Sequence, residues 1–113
     1  MDYIGIDIGS TASKVVVKGD HDIHFVLPTG WRSKETCQTI KDRLLEDSVD
    51  VLSGDSKVVA TGYGRVAVDF ADHVITEITC HARGGREMAG DECAIIDVGG
   101  SSWCPAAWYR TSR

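Results

Sequence analysis

"DYIGIDIGSTASKVVV", residues 2–17, carries two strands around a tight turn. Ile4, Ile6 and Ile8 share one face of the first strand, while Tyr3, Gly5 and Asp7 share the other, the period-2 pattern of a half-buried strand. The β-branched run Val15-Val16-Val17 predicts a second strand buried on both faces. The turn between them holds an acid, a glycine and two hydroxyls: Asp7, Gly9, Ser10 and Thr11. A phosphate cradle needs backbone N–H groups pointing into one concavity, and glycine where a side chain would block the approach. It also needs a carboxylate that can hold Mg²⁺, usually through water. This turn supplies both.

Outward from it, Gly19-Asp20 is a turn signal and Ile23–Leu27 a third short strand, so residues near 2–8, 13–19 and 22–27 read as an antiparallel meander. Pro28-Thr29-Gly30 stops the sheet. Ser33 then reads as the cap of a helix near 34–48, whose apolar positions are Cys37, Ile40, Leu44 and Leu45 and whose solvent face holds Lys34, Lys41 and Asp42. Lys57–Thr61 predicts a parallel strand. From Val74 to Met88 the pattern fits both a strand and a helix; a helix near 76–88, weakened at Gly84-Gly85, is the preferred reading. A last strand is expected near 94–98, extending the same sheet.

The chain has 113 residues, enough for one modest core, with 42% hydrophobic and 26% charged residues. A net charge of −5, with no basic stripe interrupting the acidic balance, argues against a phosphate-backbone binder. No apolar run approaches the ~20 residues that span a bilayer. The N-terminus lacks a basic region followed by an apolar one, so no signal peptide is read. Four cysteines, Cys37, Cys80, Cys93 and Cys104, form no C-x-x-C pair, which suggests free thiols and a cytoplasmic compartment.

Asp97-Val98-Gly99-Gly100 repeats the formula of the first turn: a strand, an acid near its end, then glycines. Two such elements on neighbouring strands could place two carboxylates around one metal. A rival lies in Gly62-Tyr63-Gly64-Arg65-Val66-Ala67, which satisfies the G-x-G-x-x-A pattern of a dinucleotide-binding domain. Against it, the stretch from Arg65 to Asp72 is too short for a crossover helix, leaving a strand-to-helix turn with Arg65 exposed. His21 and His24 read as solvated turn residues, and Asp69 and Asp72 as the polar face of a short helical turn.

"YIGIDIGSTASKVVV", "ATGYGR", "TEITCHARGG" and "AIIDVGG" occur in the order found in one family. Over residues 3–100 the chain resembles the ATP-dependent activators of 2-hydroxyacyl-CoA dehydratases, related to the ATPase subunits of benzoyl-CoA reductase. These belong to the actin-like, sugar-kinase and Hsp70-type ATPase superfamily. The resemblance implies an α/β fold: a ribonuclease H-like lobe, a three-strand antiparallel meander extended by parallel strands, with flanking helices. It implies a first phosphate loop at Asp7, Gly9, Ser10 and Thr11, with Lys14 in a following Ser-Lys pair. Asp97, Gly99 and Gly100 would form the second loop, and Asp7 and Asp97 would hold Mg²⁺ through water. For the full-length family it implies ATP as cofactor, and a homodimer sharing one [4Fe–4S] cluster. ATP hydrolysis there drives a low-potential electron to a dehydratase or reductase partner, with neither nucleic acid nor membrane involved.

After Gly100 the chain departs from the family, with Ser101-Ser102-Trp103-Cys104 where a Gln-Asp-Ser-Lys stretch is expected. Residues 1–100 are therefore read as an N-terminal lobe and 101–113 as an aberrant or non-family tail. The chain reads as truncated, without the adenosine-binding lobe or the cluster cysteines, so no iron–sulfur ligand is expected in it. Cys80 and His81 lie inside a family signature, yet Cys80 reads as a buried helix thiol. The alternative function is a catalytically inert fragment or a protein-interaction module.

Overall fold

The structure is a computed structural model and describes residues 1–90, 92–95 and 107–110. It divides into two compact units, Met1–Ile75 and Thr76–Arg113.

The first unit is built on a five-stranded sheet in the order β3-β2-β1-β4-β5. Strands β1 (Asp2–Ile8), β2 (Ala12–Gly19) and β3 (Ile23–Pro28) form the expected antiparallel meander. Helix α1 (Ser33–Glu46) then carries the chain to β4 (Ser56–Thr61), which lies parallel to β1. A single 3-10 turn, Arg65–Ala67, precedes β5 (His73–Val74), a two-residue strand parallel to β4. The mixed sheet and its helix match a ribonuclease H-like ATPase lobe.

The alternation of β1 dictates where the core sits. Ile4, Ile6 and Ile8 are buried with Val15, Val17 and Phe25 from the meander, Val58 and Ala60 from β4, and Cys37, Ile40 and Leu44 from α1. Burial of each large aliphatic side chain stabilises the lobe by about 1.5–3 kcal/mol. The Arg43 guanidinium lies 4.2 Å from the centre of the Phe25 ring and covers that edge of the core.

Several local expectations change. Val16 is 43% exposed, so β2 alternates; one sheet face is open, with Tyr3, Lys14 and Val26 also exposed on it. Leu45 is exposed, and Leu44 beside it is the residue of the pair that enters the core. Ser33 is the first helical residue and caps nothing. The Thr36 hydroxyl instead ties the first turn to the preceding loop, donating to Arg32 O and accepting from the Gly30 amide at 3.2 Å. His21 is no solvated turn residue, since its Nδ1 sits 2.7 Å from Asp2 Oδ2. Asp72 accepts a hydrogen bond from the Val58 amide at 2.7 Å and ties the segment after the 3-10 turn to β4.

In the second unit, α2 (Glu77–Ala89) starts after Thr76 in the extended conformation, close to the expected boundary. The strand expected at 94–98 is described as β6 (Glu92–Ile95) and pairs antiparallel with β7 (Ala107–Arg110) in a separate two-stranded sheet. The parallel neighbour of β4 is β5 instead. Trp108 and Tyr109 favour an extended backbone, which gives the tail a strand its lack of alternation did not signal. No helix among the described residues is long and apolar enough to cross a membrane.

Candidate functional site

The site forms at the C-terminal end of β1, where three neighbouring strands place polar residues side by side. Asp7 is in register with Lys14 of β2 on one flank and with Thr61 of β4 on the other. All three belong to the open face, opposite the isoleucines. The Lys14 ammonium is 3.8 Å from Asp7 Oδ2. Lys14 is 58% exposed, so this pair adds little stability; its consequence is a positive charge beside the carboxylate. The other oxygen, Asp7 Oδ1, is buried without a hydrogen-bond partner among the described residues, and so is the Thr61 hydroxyl.

Two glycines shape the loops around Asp7. Gly9 closes the β1–β2 turn, its amide donating to Ala12 O at 3.1 Å, and a Cβ there would stand 2.6 Å from that same oxygen. Its N–H is thus used within the turn, which leaves Ser10 and Thr11, both exposed, as the loop residues at the solvent surface. The far side of the loop is braced: Thr29 donates its amide to Thr11 O at 2.9 Å and its hydroxyl lies 2.7 Å from that of the buried Ser13.

Gly62 follows Thr61 with φ of +94°, a left-handed conformation that glycine adopts without strain. A Cβ at this position would collide with Asp7 Oδ1 and Ile8 O. The turn then folds back, with the Gly64 amide on Ile8 O at 2.9 Å and Arg65 Nη1 donating to Gly62 O at 2.9 Å. Arg65 is therefore half-buried and engaged. The three-residue 3-10 turn that follows is no crossover helix, which removes the dinucleotide reading of this motif.

Asp97, Gly99 and Gly100 lie outside the described residues, so the expected pairing of Asp7 with Asp97 stays an expectation. Among the described residues no three His, Cys, Asp or Glu side chains converge on one point. Cys37 does not suit a cluster ligand: it is buried in the core, and burial, then the nearby Asp69 charge, push its thiol pKa up. A shallow groove of roughly 150 Å³ beside α1, lined by Gln38, Lys41, Leu45 and Val49 among others, shares no residue with the Asp7 cluster. The sequence singles out Asp7, Lys14 and the loop as candidates, and the structure sets Thr61 and Thr29 beside them, which no sequence pattern signalled. The glycines of "ATGYGR" signalled a turn, and only the β1–β4 register shows that Thr61 stands next to Asp7.

A meander extended on one side by parallel strands, with an acid near the end of β1, matches a ribonuclease H-like ATPase lobe. The comparisons narrow the class. The chain is 41% identical over 99 residues to the uncharacterized protein YjiL of Escherichia coli, and 41% identical over 102 residues to the 2-hydroxyisocaproyl-CoA dehydratase activator of Clostridioides difficile. Each match covers 86% of this chain and 37% of the relative. The solved structure of the activator of the 2-hydroxyisocaproyl-CoA dehydratase from Clostridium difficile, with bound ADPNP, superimposes with a TM-score of 0.70 at 34% identity, over 88% of this chain and 38% of that one. No family model matches. The chain matches the family of 2-hydroxyacyl-CoA dehydratase and benzoyl-CoA reductase activators over their N-terminal region only.

Proposed function

We propose that this chain forms the first phosphate-binding lobe of an ATP-dependent activator that drives low-potential electron transfer to a 2-hydroxyacyl-CoA dehydratase or benzoyl-CoA reductase. The observation that carries the reading is the Lys14–Asp7–Thr61 row at the strand ends, with an unmatched carboxylate oxygen beside a glycine turn. The relatives named as dehydratase activators, one of them solved with ADPNP, support the nucleotide and the partner class.

The residues present fit a hydrated Mg²⁺ with a polyphosphate. A buried carboxylate oxygen lacking a donor among the described residues suits a metal-bound water, and Ser10 and Thr11 stand beside it at an exposed turn. When bound, the cation would neutralise charge developing on the transferred phosphoryl group. Asp7 would orient it through water, and Asp97 would share that role from the second loop with Gly99 and Gly100. Lys14 would place positive charge beside Asp7 and the phosphates. The lobe, residues 1–100, would act with the remaining length of an activator, which in the family contributes adenosine contacts, the dimer surface and the [4Fe–4S] cluster.

Residue-resolved NMR of the 113-residue chain with millimolar Mg²⁺ and ADPNP or pyrophosphate tests this. The amides of Ser10, Thr11 and Lys14 are expected to shift with either polyphosphate and to stay still with adenosine. Shifts confined to other segments, or none with either ligand, refute the reading. In a protein of the relatives' full length carrying this lobe, Asp7→Asn is expected to lower ATP turnover far more than nucleotide affinity. The carboxylate acts through the cation on charge that develops only in transfer.

A further inference from the structure

Among the described residues, Asp7 Oδ1 and the Thr61 hydroxyl are both buried without a hydrogen-bond partner, and their residues are register partners on β1 and β4. Thr61 is 9% exposed although it belongs to the open face of the sheet, on which Lys57 is exposed. A buried hydroxyl without a partner is costly, and valine has the same shape without that cost. Two such atoms on residues that are register partners, at the end of a strand pair, mark a place that a bound group completes.

We infer that Thr61 is a positioning residue of the Asp7 site: its hydroxyl and Asp7 Oδ1 bind one and the same water, the water through which Asp7 holds the hydrated divalent cation of a polyphosphate. The inference rests on the proposed function and adds a residue to it. A water whose lone pair is given to a cation has two protons to donate. Asp7 Oδ1 accepts one and Thr61 Oγ1 the other, which matches both unpartnered atoms at once. Lys14 faces Oδ2, so Oδ1 is the oxygen on the Thr61 side. Gly62 is required for the same reason, because a Cβ there would occupy the space against Oδ1 where the water's neighbours meet.

The test uses the 113-residue chain with Mn²⁺ in place of Mg²⁺ and pyrophosphate as the phosphate probe, reading bound Mn²⁺ by electron paramagnetic resonance. Thermal melts without ligand are recorded in parallel. Without adenosine contacts to carry affinity, the cation's own contacts dominate binding here. Thr61→Val is expected to bind Mn²⁺–pyrophosphate ~3–10-fold more weakly, the worth of one hydrogen bond. Its melting temperature is expected to equal or exceed that of the parent chain, because an unmatched buried hydroxyl has been replaced by a methyl group. Thr61→Ser, which keeps the hydroxyl, is expected to bind like the parent, while Asp7→Asn binds more weakly. If Asp7→Asn weakens binding and Thr61→Val does not, the assignment of Thr61 is overturned and the reading of Asp7 stands. If Thr61→Val melts lower and Thr61→Ser binds as poorly as the valine variant, Thr61 is structural and the assignment is overturned. A parent chain that binds no Mn²⁺–pyrophosphate, or an Asp7→Asn variant that binds as the parent does, overturns both.

Discussion

The Asp2 carboxylate accepts two hydrogen-bonding groups from one residue: the His21 amide at 2.9 Å on Oδ1 and the His21 ring at 2.7 Å on Oδ2. Asp2 is 6% exposed and opens β1, whereas His21 lies within the β2–β3 connection. One side chain thus clamps the start of β1 to the connection between β2 and β3.

That clamp is pH-dependent in a known direction. The Asp2 pKa is lowered, first by the His21 amide and then by the His21 ring, against an opposing effect of burial. A folded-state pKa below the unfolded value contributes stability that is present above the unfolded carboxylate pKa, ~3.9, and is lost as pH falls through the folded value. Urea midpoints of the parent chain and of Asp2→Asn are expected to differ at neutral pH and to converge below about pH 4. A gap that stays constant or widens on acidification contradicts the clamp.

Gly62→Ala is expected to destabilise the first unit by about 1–3 kcal/mol, the usual cost of a non-glycine residue held at positive φ. It also drives a methyl group against Asp7 Oδ1 and Ile8 O. Denaturant titration reads the first effect, and displaced amide resonances of Asp7 and Ile8 read the second. Gly54→Ala, at φ of +81° but in open space, is the control that shares the backbone strain without the collision.

The 113-residue chain alone is expected to bind MgATP more weakly than micromolar, less favourably than about −8 kcal/mol, and to release no phosphate. Phosphate-loop contacts without adenosine contacts cannot hold the γ-phosphoryl group in line for transfer. Calorimetry and a phosphate-release assay check the two statements separately.

Anaerobic reconstitution with iron and sulfide is expected to yield no stable charge-transfer band near ~400 nm. Cys37 stands on α1 inside the core, and its raised pKa disfavours the thiolate a cluster needs. Cys80 is half-buried on α2. A stable band lost on Cys80→Ser or Cys93→Ser would show that the thiols of this chain do assemble a cluster.

The meander, α1 and the placement of Asp7 were legible because each rests on local chemistry. Alternation placed Ile4, Ile6 and Ile8 in the core, and Gly9 marked the loop. What the sequence concealed depends on distant partners. Val16 resembles its buried neighbours until the open sheet face is known. His73 and Val74 form a strand only because β4 offers them an edge. His21 meets Asp2 and Asp72 meets Val58 across 19 and 14 positions, spacings that no periodicity encodes. Thr61 was hidden for the same reason, since its meaning lies in the residue across the ladder.

The two neighbours of β1 are reached by very different routes, and this sets an order of events in folding. β2 returns after a three-residue turn, whereas β4 pairs with β1 only after β3, α1 and their connections have been traversed. Closing the long loop costs entropy before its contacts repay it, so the β1–β2–β3 hairpins are expected to form early and β4 to dock late. Val15→Ala should then slow refolding, while Val58→Ala should chiefly accelerate unfolding. On this route the polar row at the strand ends is assembled last: Lys14 meets Asp7 within the early hairpin, and Thr61 arrives only with the final strand.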